Sequence, residues 1–435
     1  MNSESVTSTT ASVQAAGKSS HPTVMDRILR TRLLQTLDGL HGCRVVIEDA
    51  QGSHVLGQEA SSLPADALHC RLRVHDPAFY RMAALNGSVG AGEAWMEGLW
   101  DCDDLVALVR ILVRNRDRLD AMETGLARVG GWLMRAGHQL ARNTRKGSRR
   151  NIAAHYDLGN DLFELFLDAS MMYSSAIYED AGETLEVASN RKLDRICTKL
   201  GLRPGHRVVE IGTGWGGFAI HAARHHGCHV TTTTISREQH ELASARVQQA
   251  GLQDRVTLLL QDYRDLQGTY DRLVSIEMIE AIGHQYLDTY FGKVAALLQP
   301  DGQAMIQAIT IEDHRYASAL RSVDFIKRYI FPGSFIPSVA AMSGSIARAS
   351  DLRLFNLEDI GPSYALTLAA WRERFHRNAA QVQALGYDQR FMRMWDFYLA
   401  YCEGGFRERS IGDVQLWLTR PGARPAQYPY PLEQS

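Results

Sequence analysis

The chain has no CxxC pair, its six cysteines (Cys43, Cys70, Cys102, Cys197, Cys228 and Cys402) being scattered over 435 residues. That spacing argues against a zinc site and a disulfide framework, and it fits a reducing compartment such as the cytoplasm. No run of about 18 uninterrupted apolar residues occurs, so any contact with lipid is expected to be peripheral, not spanning. The opening segment, residues 1–23, lacks an apolar core behind a basic start and reads as a tail, neither signal peptide nor anchor. An excess of one charge is missing too. Lys+Arg 47 stand against Asp+Glu 49, which gives nucleic-acid binding no global support.

What is present suits a soluble chain of two domains, with 45% hydrophobic and 22% charged residues. Short alternating runs at 43–48 and 69–74, beside a helix-like stretch at 103–113, predict a small α+β domain over 24–127. Residues 128–154 form a basic linker. From Arg128 to Tyr156 there is no acidic residue, while Arg128, Arg135, Arg142, Arg145, Lys146, Arg149 and Arg150 all fall in that window. Such a stripe fits either a solvated linker face or a surface that docks on anionic headgroups.

Over 155–420 the rhythm becomes strand, helix, strand. Strands are predicted at 207–211, 229–235, 256–261, 271–277 and 303–311, with helices to about Arg224, over 236–249 and over 286–298. The span 312–349 interrupts the alternation; 352–360 and 413–419 supply the last strands, with helices from Leu366 and Gln389 near them. This spacing predicts an α/β fold, a doubly wound, mostly parallel sheet with helices on both faces. The Pro-rich end, 421–435, reads as a tail.

The strongest local signal is Val208-Val209-Glu210-Ile211-Gly212-Thr213-Gly214-Trp215-Gly216-Gly217-Phe218, a buried strand entering a glycine turn and then a helix. Glycines let backbone approach a ligand, and the free N–H groups of a helix start favour an anionic group. Gly212, Gly214 and Gly217 also satisfy a dinucleotide GxGxxG, so the turn alone leaves a nicotinamide-dependent oxidoreductase open. Two features favour a methyl donor: the acidic residue two positions before the first glycine, and a second strand that ends in Thr231–Thr234 without the Asp or Glu of a ribose site.

Beyond the turn, the segments HYDLGNDLFELFLD (155–168), MMYSSAIYE (171–179), TISREQ (234–239), LLLQDYRDL (258–266), IEMIEAIG (276–283), DFIKRYIFPGSFIPS (324–338) and FYLAYCEGGFRERSIGDVQLWL (397–418) follow in order. Together they resemble the cyclopropane-fatty-acyl-phospholipid synthase family, related to the mycolic acid methyltransferases; LNGSVGAGEAWMEGLWDCDDL (85–105) is similar to the family's N-terminal, lipid-associating domain. The resemblance implies a Rossmann-like, class I S-adenosylmethionine methyltransferase acting on unsaturated phospholipid acyl chains. It implies a peripheral position at the inner membrane face and is compatible with a homodimer.

The resemblance also distributes roles over these residues. Tyr173 and Ser174 approach the amino-acid end of the donor, and Gly212 and Gly214 pass beneath it. Thr234 and Gln239 suit the ribose hydroxyls, Asp262 the adenine amino group, and Tyr263 the face of the base. Thr234 also reads as a helix cap and Tyr173 as a core aromatic. Phe325–Ile336 combines aromatics for a dry channel with Lys327 and Arg328 for a lipid phosphate, and bare it also reads as a buried helix and turn.

An alkene has no acidic proton, so its π electrons attack the sulfonium methyl and leave a cation that must be kept from water. In the family a bound bicarbonate then takes the proton, held by a Cys, a Glu, a His, an Ile and a Tyr. Here Glu280, Ile309 and Tyr364 match, whereas Ser175 stands at the Cys position and Gln307 at the His position. Both departures keep hydrogen-bonding capacity, so Ser175 and Gln307 are expected to donate to the anion or to an ordered water. Glu280 alone also fits a turn cap. A cyclopropane is the leading product and a methylene or methyl branch the alternative. The two departures also keep open a catalytically silent lipid-binding paralogue.

Overall fold

Thr23 closes a capping box with Asp26 at the head of the helix Val24–Asp38, each residue's side chain accepting the other's main-chain N–H. The structure, a computed structural model, describes residues 22–58, 63–121 and 159–426. The basic linker expected at 128–154 lies outside the described residues, as does nearly all of 1–23.

After that first helix come β1 (Cys43–Asp49), β2 (Gly52–Gly57) and β3 (Leu68–Val74), then the helix Ala78–Met96, β4 (Trp100–Cys102) and the helix Leu105–Arg114. The strands form one sheet in the order β2-β1-β3-β4, with β1 and β3 parallel. Strand β3 shows why the alternation in the sequence was readable. Cys70, Leu72 and Val74 are buried while His69, Arg71 and Arg73 face out.

The larger sheet contains β5 (Arg207–Ile211), β6 (His229–Thr234), β7 (Val256–Leu260), β8 (Tyr270–Ile276), β9 (Leu298–Ile311), β10 (Arg353–Asp359) and β11 (Ile411–Thr419), in the order β10-β11-β9-β8-β5-β6-β7. All neighbours pair in parallel except β11, which runs antiparallel to both β9 and β10. Strand β9 begins at Leu298, earlier than the expected residue 303, because Leu298 already pairs with Tyr270 across a register shift. From β5 the chain moves outward to β6 and β7, then returns to place β8 on the other side of β5. The crevice at this reversal, at the carboxyl ends of β5 and β8, is where an open α/β sheet binds its ligand.

The two sheets are joined through one core. Residues of the first sheet and its helices, among them Trp95 and Trp100, share an apolar cluster with Phe163, Phe166, Trp371 and Trp395. Arg393, on the helix Gln389–Arg407, fastens the joint: its guanidinium lies 4.0 Å from the centroid of Trp95, donates to the carbonyls of Trp95 and Trp100, and pairs with Asp101 at 2.8 Å.

Candidate active site

A cavity of about 1000 Å³ opens at the carboxyl ends of the strands. The turn after β5 forms one wall, with Gly212 at φ 100° and Gly214 at φ 51°, values that favour glycine over any residue with a Cβ. A Cβ built on Gly214 would meet nothing within 4 Å, because it would stand in the cavity.

The residues expected to hold the donor all line this cavity: Tyr173, Ser174, Gly212, Gly214, Thr234, Gln239, Asp262 and Tyr263. Thr234 donates to the Gln239 side-chain Oε1 at 2.8 Å and accepts the Ser236 N–H, so the end of β6 and the next helix are already locked together. Asp262 is gripped by Arg264 through both oxygens. Tyr263 packs edge-on against Tyr290, and its buried hydroxyl has no partner. Tyr173 and Tyr398 share a hydroxyl–hydroxyl bond of 2.8 Å. Beneath the turn, burial pushes Glu210 up to about 8 against the opposing hydrogen bond from Thr232. A carboxyl so deprived of water is ready for a cationic group such as the donor's ammonium. Positive-φ glycines, this carboxyl and the unpartnered Tyr263 hydroxyl together fit S-adenosylmethionine.

Next to the donor wall lies a cluster of buried carboxyls. Glu280 follows β8 on a short 3₁₀ turn, and its Oε1 accepts the Ile309 N–H at 2.6 Å while Oε2 has no partner. Burial, with Glu277 beside it, pushes Glu280 up to about 8. Tyr364, in the first turn of the helix Gly361–Arg377, lines the cavity. It donates to Glu277 Oε2 at 2.7 Å. Ser175 and Gln307 converge on the other oxygen: the Ser175 main-chain N–H and the Gln307 side-chain N–H each donate to Glu277 Oε1 at 2.8 Å. The Ser175 hydroxyl, expected to face an anion, turns instead to the Ala176 carbonyl. Both residues are fully buried behind the cavity wall.

Sequence reasoning missed Glu277, since the expected strand ended there and the matching motif drew attention to Glu280. Three further groups surround it. Gln307 bridges to Asp413 at 2.9 Å. Asp413 is raised well above the ordinary carboxyl range by burial and by Glu277 itself. Lys192 is fully buried, donates to Ser174 Oγ at 2.5 Å, and is brought down to about 8 by burial. The bicarbonate implied by the resemblance does not fit these residues, because the main-chain and side-chain donors that would hold it already hold the Glu277 carboxylate.

The Phe325–Ile336 stretch divides. Phe325 is buried against Phe397, whereas Phe331 and Phe335 line the cavity. Lys327, expected to meet a phosphate, donates to the Ala319 and Ser322 carbonyls, and Arg328 lies over the Tyr329 ring. Far from this wall, Cys197, His221 and His226 bring one ligand atom each to within 4.8 Å of one another, a metal-sized grouping that the scattered cysteines had argued against. His221 is already engaged there by Asp194 at 2.8 Å.

Comparison with known proteins places this geometry. Residues 143–416 match the family model described as mycolic acid cyclopropane synthetase. The chain is 39% identical over 370 residues to the tuberculostearic acid methyltransferase UfaA1 of Mycobacterium tuberculosis, covering 82% of this chain and 85% of that one. It is also 39% identical over 361 residues to the cyclopropane-fatty-acyl-phospholipid synthase of Escherichia coli, covering 82% and 87%. Among solved structures, the mycolic acid cyclopropane synthase CmaA1 complexed with SAH and CTAB superposes with a TM-score of 0.58 at 30% identity, over 62% of this chain and 98% of that one. The chain therefore belongs to the mycolic acid cyclopropane synthetase family and is an S-adenosylmethionine-dependent methyltransferase.

Proposed function

We propose that this chain transfers a methyl group to a double bond of an unsaturated lipid acyl chain. The observation that carries the reading is the reach of the cavity. The cavity is lined by the glycine turn, by Glu277 and Glu280, and by apolar residues that include Leu29, Leu33, Val109 and Val113 of the N-terminal helices. An oily chain fits such walls, and a cation formed beside them is kept from water. When bound, the donor supplies an electrophilic methyl; the protein has to hold the alkene against it and accept a proton afterwards.

A cyclopropane remains the leading product. A methylene or methyl branch is the second reading, because the product depends on which C–H faces the base. Fatty acids from a bacterium expressing the chain, analysed by mass spectrometry, should show unsaturated chains heavier by one CH₂. Proton NMR then separates ring from branch. An unchanged profile from soluble, donor-binding protein would favour the silent lipid-binding paralogue.

The basic window from Arg128 to Arg150 supports peripheral docking on anionic headgroups at the inner membrane face. Binding to phosphatidylglycerol vesicles should weaken as salt is raised, because exposed charges are screened beyond about 8–10 Å at physiological ionic strength. Equal binding to neutral vesicles would refute this.

A further inference from the structure

We infer that Glu277 is the proton acceptor of this methyltransferase, a carboxylate built into the chain in place of a bound anion. The inference rests on the proposed acyl-chain reading and deepens it. Four observations carry it.

First, the donors around Glu277 saturate it as they would a small oxyanion. Two N–H groups reach one oxygen at 2.8 Å each, and the Tyr364 hydroxyl reaches the other at 2.7 Å. Second, Glu277 lines the cavity, while Ser175 and Gln307 lie wholly behind it. The carboxylate thus stands between its supports and the place of the acyl chain.

Third, the backbone at Glu277 has φ 48°, in the left-handed region that a non-glycine residue adopts only when its surroundings impose it. Its N–H is tied to the Gln307 carbonyl at 2.9 Å, and the left-handed turn after β8 sends the side chain into the donor cluster. Fourth, the charge balance disfavours a second anion. Glu277, Asp413 and Asp168 already act on the buried ammonium of Lys192, with Glu280 beside Glu277. Asp413 is fully buried with no donor aimed at its Oδ1, whereas Glu277 holds three donors and lines the cavity, so the pair's negative charge is better supported on Glu277.

The step balances without a further reactant. Methylation uses the alkene π pair to form the new C–C bond, the S–CH₃ bonding pair stays on sulfur, and a cation is left on the neighbouring chain carbon. Glu277 takes a proton from carbon. The released C–H pair either closes a three-membered ring onto the cationic carbon or forms a C=C bond with it. The proton then passes from the carboxyl to water when the product leaves.

The test compares wild type, Glu277→Gln, Glu277→Gly and Glu280→Gln as full-length proteins on unsaturated phospholipid vesicles. S-adenosylhomocysteine affinity is measured beside turnover and product identity. Wild type should turn over equally with bicarbonate stripped or added. Glu277→Gln should lose about 100-fold or more in turnover, the scale of a general base, with S-adenosylhomocysteine affinity retained. Glu277→Gly suits the φ of 48° and leaves an anion-sized space among freed donors, so added bicarbonate or formate should restore about 10-fold or more of the lost rate. The inference is overturned if stripping bicarbonate slows wild type, if Glu277→Gln keeps its rate, if neither anion rescues Glu277→Gly, or if only Glu280→Gln loses turnover. A wild type that binds S-adenosylhomocysteine yet methylates no acyl chain would instead refute the acyl-chain reading.

Discussion

Gly214→Val should lose donor binding by more than about 100-fold, or about 2.7 kcal/mol, while the protein stays folded. The φ of 51° at Gly214 is one that a β-branched residue resists, and forcing it costs about 1–2 kcal/mol, small against the 5–15 kcal/mol of a typical domain. The larger effect is occupancy, because the new side chain would stand in cavity space that the turn keeps open. Gly251→Val is the control for strain: Gly251 has φ 68°, no atom within 4 Å of its would-be Cβ, and no place in the cavity wall. Titration with S-adenosylhomocysteine should separate the two variants. Equal affinity in Gly214→Val and wild type would show that the donor lies elsewhere.

Arg393→Ala should loosen the joint between the two sheets. Removing the guanidinium deprives the Trp100 carbonyl of this donor, at about 1–3 kcal/mol for an acceptor left buried and unpaired, while the Trp95 carbonyl keeps the Gly98 N–H. Loss of the stacking over Trp95 adds about 0.5–2 kcal/mol. The sum is about 1.5–5 kcal/mol, enough to lower the Tm by several degrees. Because the N-terminal helices supply one wall of the cavity, lipid turnover should fall about 10-fold or more while S-adenosylhomocysteine affinity holds. Arg393→Lys keeps the charge without the planar fork and should fall between. A Tm and a lipid KM both unchanged in Arg393→Ala would show that this contact does not hold the cavity together.

Much of the molecule was legible before its structure. The 2-residue alternation of β3 and the buried runs of β5, β6 and β8 announce their strands, because one side of each strand or both must leave water. The glycine turn, too, is local. Only residues that tolerate positive φ can make it, so its glycines mark the donor wall directly. By contrast, Glu277 was unreadable. IEMIEAIG offers two glutamates three positions apart, and nothing in that string says which one faces the donors. The answer depends on where β8 ends, at Ile276, and on the left-handed turn that follows.

The same holds for the groups that surround Glu277. Lys192 sits amid polar residues on the helix Leu185–Lys199 and reads as a solvated charge, yet it is fully buried under the loop that carries Ser174. Asp413 reads as an edge polar residue at the start of a strand, but β11 runs antiparallel between β9 and β10 and lays it beside Gln307. The sequence by itself determined the class of fold, the donor turn and the family. The tertiary structure decided which carboxyl occupies the anion position, because Ser175, Glu277, Gln307, Tyr364 and Asp413 come from five separate segments, and a hydrogen-bonded cluster among them exists only after the sheet has brought those segments together.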